Sequence, residues 1–206
     1  MGNGMTKIIP GLYVGNIRDS EDEKQVNENN ITHVVSIYQN AKPAVKFVNR
    51  LQYKCIDAED NPSQDLSSWF QECTDFIHQS RLSGGAVLVH CLAGVSRSVT
   101  ITCAYLMTVT SLGWPEVLDA VRSARPHASP NFGFQQQLMR YHKGKLKEER
   151  ERISRVFPSS TLKLQDEENS QALLATTTQT KRLTTTWKRD TTTESTQGKE
   201  ESGASL

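Results

Sequence analysis

The chain has 206 residues, 36% of them hydrophobic and 23% charged, enough to bury one ordinary core but too few for a second sizeable domain. A formal net charge of +1 excludes the global basic field that nucleic-acid binding or strong attraction to an anionic membrane requires, so no nucleic-acid partner is expected. Cysteines at 55, 73, 91 and 103 form no Cys-x-x-Cys pair and the histidines complete no zinc spacing, which predicts a reduced, cytoplasmic chain with no metal and no cofactor.

The N-terminus, Met1-Gly2-Asn3-Gly4-Met5-Thr6, fits the pattern in which Gly2, exposed after removal of Met1, accepts a myristoyl chain. No cationic stretch followed by an apolar core and a small-residue cleavage site opens the chain, so a secretory signal is not expected. The apolar run from Val99 to Val109 falls short of the roughly 20 residues that cross a bilayer. A single myristoyl chain binds membrane only marginally, with a constant of about 10⁴ M⁻¹, so reversible membrane association, with the plasma membrane as one destination, is the expectation.

Residues Lys7 to Gly15 read as two short strands around Pro10-Gly11, and the polar stretch 18–30 as a short helix or loop. Thr32 to Tyr38 and Leu51 to Ile56 are strand-like runs. From Asp65 to Leu82 the apolar positions Leu66, Trp69, Phe70, Cys73, Phe76 and Ile77 recur at three and four, one face of a helix. Ala86-Val87-Leu88-Val89, bounded by Gly84-Gly85, reads as a strand buried on both faces. Further helices are predicted from Arg97 to about Thr110, from Pro115 onward, and from Phe132 to about Arg155. Beyond Phe157 the composition turns to Thr, Ser, Gln and Lys, with three Thr triplets; such a segment buries too little apolar area to offset its ordering entropy and is predicted to be disordered.

Between the buried strand and the helix at Arg97 stands His90-Cys91-Leu92-Ala93-Gly94-Val95-Ser96-Arg97-Ser98. A short loop at such a junction, Leu92, Ala93, Gly94, Val95 and Ser96, turns backbone N–H groups inward, and the helix adds its positive end, so the loop can cradle a phosphate. Cys91 at its mouth feels these dipoles and the Arg97 guanidinium, which favour the nucleophilic thiolate. The planar fork of Arg97 suits two phosphoryl oxygens, and the Ser98 hydroxyl is placed to hydrogen-bond the sulfur. His90 lies next to Cys91 on a strand and so points to the opposite face, which predicts loop orientation, not proton abstraction. A leaving group needs an acid, and Asp57, Glu59 and Asp60 are candidates.

The nine-residue run resembles the His-Cys-x5-Arg-Ser/Thr signature of the cysteine-based phosphatases. With Met1-Gly2-Asn3-Gly4 and Gly11-Leu12-Tyr13-Val14-Gly15, the chain resembles the small N-myristoylated atypical dual-specificity phosphatases of the Jun-kinase-stimulatory type. That resemblance implies an α/β cysteine-phosphatase fold, a central mixed twisted sheet flanked by helices, with the catalytic domain over residues 1–155 and a disordered Thr/Ser-rich tail over 156–206. It implies hydrolysis of phosphotyrosine and phosphoserine or phosphothreonine through a phosphocysteine, with MAP-kinase (Jun-kinase) pathway components among the phosphoprotein partners. It selects Asp60, just ahead of Asn61-Pro62, as the general acid on a mobile loop, and Asn131 in Ser129-Pro130-Asn131-Phe132-Gly133-Phe134 as a support for the phosphate loop. Neutral Leu92, Ala93 and Val95 favour phosphoprotein over phosphoinositide. A noncatalytic phosphopeptide binder and an RNA 5′-phosphatase are the alternatives.

Overall fold

A computed structural model describes residues 4–176. The expected lipidation position Gly2 and the Thr triplets lie outside them, apart from Thr176. The chain opens with β1 (Thr6–Ile9) and β2 (Leu12–Gly15), paired antiparallel across the Pro10-Gly11 turn. Two short helices follow, α1 (Ile17–Glu21) and α2 (Glu23–Glu28). Asn16 starts α1 with a reciprocal cap: its side chain accepts from the Asp19 N–H, and the Asp19 carboxylate accepts from the Asn16 N–H. Strands β3 (Ile31–Ile37) and β4 (Gln52–Ile56) come next, then a single 3₁₀ turn at Ser67–Trp69 that runs into α3 (Phe70–Leu82). The expected helix from Asp65 therefore begins late, because Asp65 to Trp69 form a turn held by side chains instead of an α-helical start.

Strand β5 (Ala86–His90) takes the centre of a five-stranded sheet of order β1-β2-β5-β3-β4. Its pairings with β2 and β3 are parallel, as is that of β3 with β4, so the sheet is mixed only at its β1 edge. Val87, Val89 and Cys91 enter the main core, whereas Ala86 and Leu88 enter a smaller one with Val26, Phe47 and Leu51. That alternation is why the run is apolar without a break.

Helix α4 (Arg97–Val109) is buried along its whole length, enclosed by β5, α3, α5 (Glu116–Ala124), α6 (Phe132–Gly144) and α7 (Leu146–Val156). The single helix expected from Phe132 to Arg155 is thus two. It breaks at Lys145, beside Gly144, a poor helix former, and the break lets Leu146 and Ile153 turn inward.

The larger correction concerns the start of the tail expected to be disordered from 156; its residues 177–206 lie outside the described residues. Residues 160–176 form an eighth helix, α8. Asp166 and Ser170 are fully buried and Leu173 and Leu174 pack on the main core. Two carboxylate oxygens of Asp166 take both terminal nitrogens of Arg81 at 2.7 and 2.6 Å, and the same guanidinium donates to the Pro10 carbonyl and to the Tyr105 hydroxyl. Composition concealed this helix because the centre of its buried stripe is polar. Its partner stands 85 residues earlier.

Candidate active site

The phosphate loop spans Cys91 to Ser96 between β5 and α4. Its carbonyls are engaged from outside: Leu92 O accepts from the Ile17 N–H at 3.4 Å, Val95 O from the Ser129 N–H at 2.9 Å, and Gly94 O from Arg125 Nε at 2.8 Å. With the carbonyls committed outward, the N–H groups of the loop are left for the concave side, as an anion cradle needs. Gly94 has φ +69°, and a Cβ there would stand 2.5 Å from both the Gly15 carbonyl oxygen and Arg125; only glycine meets both demands.

Cys91 Sγ lies at the floor of this loop, 1% exposed. It accepts from the Gly94 N–H at 3.2 Å and lies 3.4 Å from Ser98 Oγ. Burial by itself pushes the thiol up, but the Ser98 hydroxyl, the Ser98 and Val95 N–H groups and the Arg97 guanidinium outweigh it and hold the thiol below its ordinary value. The other three cysteines go the opposite way. Burial raises Cys73 to about 12, and raises Cys103 and Cys55 as well, which suits Cys73 and Cys103 as core residues and Cys55 as a half-buried strand residue.

Arg97 is 5% exposed and donates to the Ala58 carbonyl at 3.0 Å. Its Nε is buried with no hydrogen-bond partner, 3.8 Å from Asp60 Oδ2. A buried guanidinium N–H left unpaired is costly, so the site has a donor in place for an incoming oxyanion.

Asp60 sits across from the loop. Ser96 Oγ donates to its Oδ1 at 2.7 Å and Asn131 Nδ2 at 2.8 Å. The Asn131 N–H also donates to Ser96 Oγ at 3.1 Å, which commits the Ser96 proton to Asp60. Two donors on Oδ1 leave Oδ2 as the oxygen that can carry an acid proton. Asp57 and Glu59 face elsewhere, accepting from the Asn40 N–H and from Gln39 Nε2 on the exposed side. Asn131, expected as a support for the phosphate loop, reaches that loop through its N–H on Ser96 Oγ; its side chain also caps α6 by accepting from the Phe134 N–H at 3.0 Å and donates to Asp60.

His90 Nε2 lies 2.8 Å from Ser36 Oγ, and its Nδ1 lies 3.4 Å from the Cys91 carbonyl. It is turned away from the sulfur, and burial pushes its pKa down to about 4. The neutral ring therefore braces the strand end. Sequence reading missed Arg125, Ser36 and the Ala58 carbonyl. Arg125 is 1% exposed and ties Gly94 O to Thr6 Oγ1; its partners are 31 and 119 residues away, and no local pattern announces such a contact.

A family model described as the dual specificity phosphatase catalytic domain matches residues 12–144. Dual specificity protein phosphatase 22-A of Danio rerio is 51% identical over 175 residues, covering 85% of this chain and 82% of that protein. The human dual specificity protein phosphatase 22 is 47% identical over 175 residues, 85% of this chain and 92% of its own length. Among solved structures, the crystal structure of DUSP15 superposes with a TM-score of 0.73 at 45% identity, covering 77% of this chain and all of that one.

Proposed function

Because the chain belongs to the dual-specificity phosphatase family, it is a protein phosphatase acting on phosphotyrosine and on phosphoserine or phosphothreonine, and we propose that it works through a phosphocysteine on Cys91. The observation that carries this reading is the single constellation in which a sulfur held below its ordinary pKa, an Arg97 Nε without a hydrogen-bond partner and the Oδ2 of Asp60, 3.8 Å from it, converge on one loop.

In the first half-reaction the Cys91 thiolate attacks phosphorus as the bond to the leaving oxygen breaks. Loop N–H groups and Arg97 take the charge on the equatorial oxygens, and the proton on Asp60 Oδ2 passes to the leaving alkoxide or phenoxide. In the second, Asp60 takes a proton from water as that water attacks phosphorus. The sulfur then leaves as a thiolate, eased by the Ser98 hydroxyl 3.4 Å away.

Hydrolysis of an aryl phosphate by the purified protein, beside Cys91→Ser and Asp60→Ala, tests the mechanism. Loss of all turnover in the first variant and of most of it in the second is expected. An inactive, folded and reduced wild type would sink the catalytic reading and leave phosphopeptide binding.

Membrane association and a place in MAP-kinase signalling belong to the same proposal. The first is supported by the Gly2 and Thr6 pattern, the second by resemblance to the Jun-kinase-stimulatory type. β1 begins at Thr6, so a lipid on Gly2 would sit a few residues from the folded domain, on a cytoplasmic protein that visits the membrane. Intact-mass measurement of protein made in eukaryotic cells decides the first point, since an unmodified Gly2 removes it. For the second, Jun-kinase phosphorylation should change on expression of the wild type and not of Cys91→Ser; equal levels would remove it.

A further inference from the structure

The segment carrying Asp60 is pinned to one helix at two places. Near its start, Asn131 at the head of α6 holds the Asp60 carboxylate at 2.8 Å. Near its end, Gln137 of the same helix takes three backbone groups: its Nε2 donates to the Gln64 carbonyl at 2.7 Å, and its Oε1 accepts from the N–H groups of Leu66 at 2.8 Å and Ser67 at 3.0 Å. Six residues of helix separate the anchors, about 9 Å along the axis.

Between them the chain is folded on itself and pressed against α6. The Gln64 N–H donates to the Asn61 carbonyl at 3.0 Å, the Ser63 N–H to Asn61 Oδ1 at 2.9 Å and the Glu59 N–H to Gln64 Oε1 at 3.2 Å. The Pro62 carbonyl lies so close to Gly133 that a Cβ there would come within 1.8 Å of its oxygen. The acid was expected on a mobile loop. Here it rides on a segment with its hydrogen bonds already made.

We propose that Gln137 is a positioning residue for the general acid: by fixing Gln64, Leu66 and Ser67 it holds Asp60 Oδ2 where the leaving oxygen departs, so the acid is in place before substrate arrives. The inference rests on Asp60 being that acid. Without Gln137, the Leu66 N–H and the Gln64 carbonyl lose their partner and the Ser67 N–H keeps only Asp65 Oδ1, so water becomes the cheapest replacement. The segment then swings about the Asn131 anchor, and Oδ2 moves with it. Among the described residues the hydrogen bonds of Gln137 run to Gln64, Leu66 and Ser67 and not to Cys91, Ser98 or Arg97, so nucleophilic attack itself does not depend on it.

The test is the dependence of kcat/KM on leaving-group acidity across aryl phosphates whose phenols span pKa values of about 4 to 10. An enzyme that delivers a proton shows a nearly flat plot. Gln137→Met keeps the volume and loses the bonds; it should be slower by about tenfold on the least acidic phenol and by less than about twofold on the most acidic. Turnover of the most acidic phenol in the same sample reports a folded site. Gln137→Glu keeps the two accepting bonds but sets a carboxylate oxygen against the Gln64 carbonyl, so it should recover only part of the loss. Asp60→Ala, run in parallel, should steepen the plot at least as much. If Asp60→Ala steepens it and Gln137→Met does not, the positioning role is overturned and the acid assignment stands. A plot left flat by Asp60→Ala overturns the acid assignment and this inference with it, and leaves the role of Cys91 untouched.

Discussion

At the scale of single residues, the site depends on hydrogen bonds that act on a buried sulfur. Ser98 is the largest of the influences that bring the Cys91 thiol down against its burial. Ser98→Ala removes that bond, so the thiol pKa rises and the low-pH limb of kcat/KM moves to higher pH. A hydrogen bond to a charged group is worth about 1.5–3 kcal/mol, enough to move that limb measurably. The rate of alkylation of Cys91 by iodoacetamide against pH measures this directly, and an unmoved profile would count against the bond. His90 makes a prediction of the opposite kind. Its folded pKa of about 4 lies below the ordinary 6.5, so the unfolded chain takes a proton at a pH where the folded one refuses it. The neutral ring's contribution is complete above pH 6.5, declines as pH falls, and is lost at about pH 4, a span of about 3 kcal/mol. Urea denaturation across that window should show a shallower acid slope for His90→Gln than for the wild type.

Among the elements, α8 is the one whose role follows from its contacts alone. The Arg81–Asp166 pair is fully enclosed, with side chains 2% and 0% exposed, and the same guanidinium also satisfies the β1–β2 turn at Pro10 and the Tyr105 hydroxyl of α4. Removing one partner strands a buried charge, so Asp166→Ala should cost about 3–5 kcal/mol, measured by chemical denaturation. Replacing both partners by leucine should recover much of that loss, because it is the orphaned charge that costs most. Equal losses in the single and double variants would show that the helix is held by its apolar contacts instead. The helix lies beyond the matched family segment, which ends at residue 144, and a protein cut before residue 160 loses the carboxylate that Arg81 requires.

For the whole molecule, the main core runs without interruption from Ile8 on β1 to Leu146 on α7, with Leu173 and Leu174 of α8 packed against it. Because this core and the smaller one on the other face share the β5 strand, one cooperative transition is predicted. Tryptophan fluorescence and the exposure of the Cys103 thiol, buried in α4, should report the same midpoint; separate midpoints would make α8 or the β1 edge an independent unit. The strand order β1-β2-β5-β3-β4 puts β5 at the centre, and with it Cys91 at the carboxyl end of the most enclosed strand.

Short-range chemistry makes part of this protein legible in its sequence: the alternating elements, the apolar run of β5, and the Cys91 to Ser98 loop, whose spacing suits a nucleophile, a cradle and a clamp. The sequence also yielded Asp60 and Asn131 through family resemblance. The remainder depends on how the elements pack. That Asn131 and Ser96 meet on one oxygen of Asp60, that Arg125 braces Gly94 from 31 residues away, that Gln137 holds the segment after Asp60 and that α8 docks through Asp166 are contacts between residues far apart in the chain. Hydrophobic periodicity reports which side of an element is buried, because burial repeats with the geometry of the helix or strand. A buried polar contact has no period. It depends on where two separately folded elements bring one donor and one acceptor together, and here that meeting converts a loop able to bind phosphate into a site equipped to transfer it.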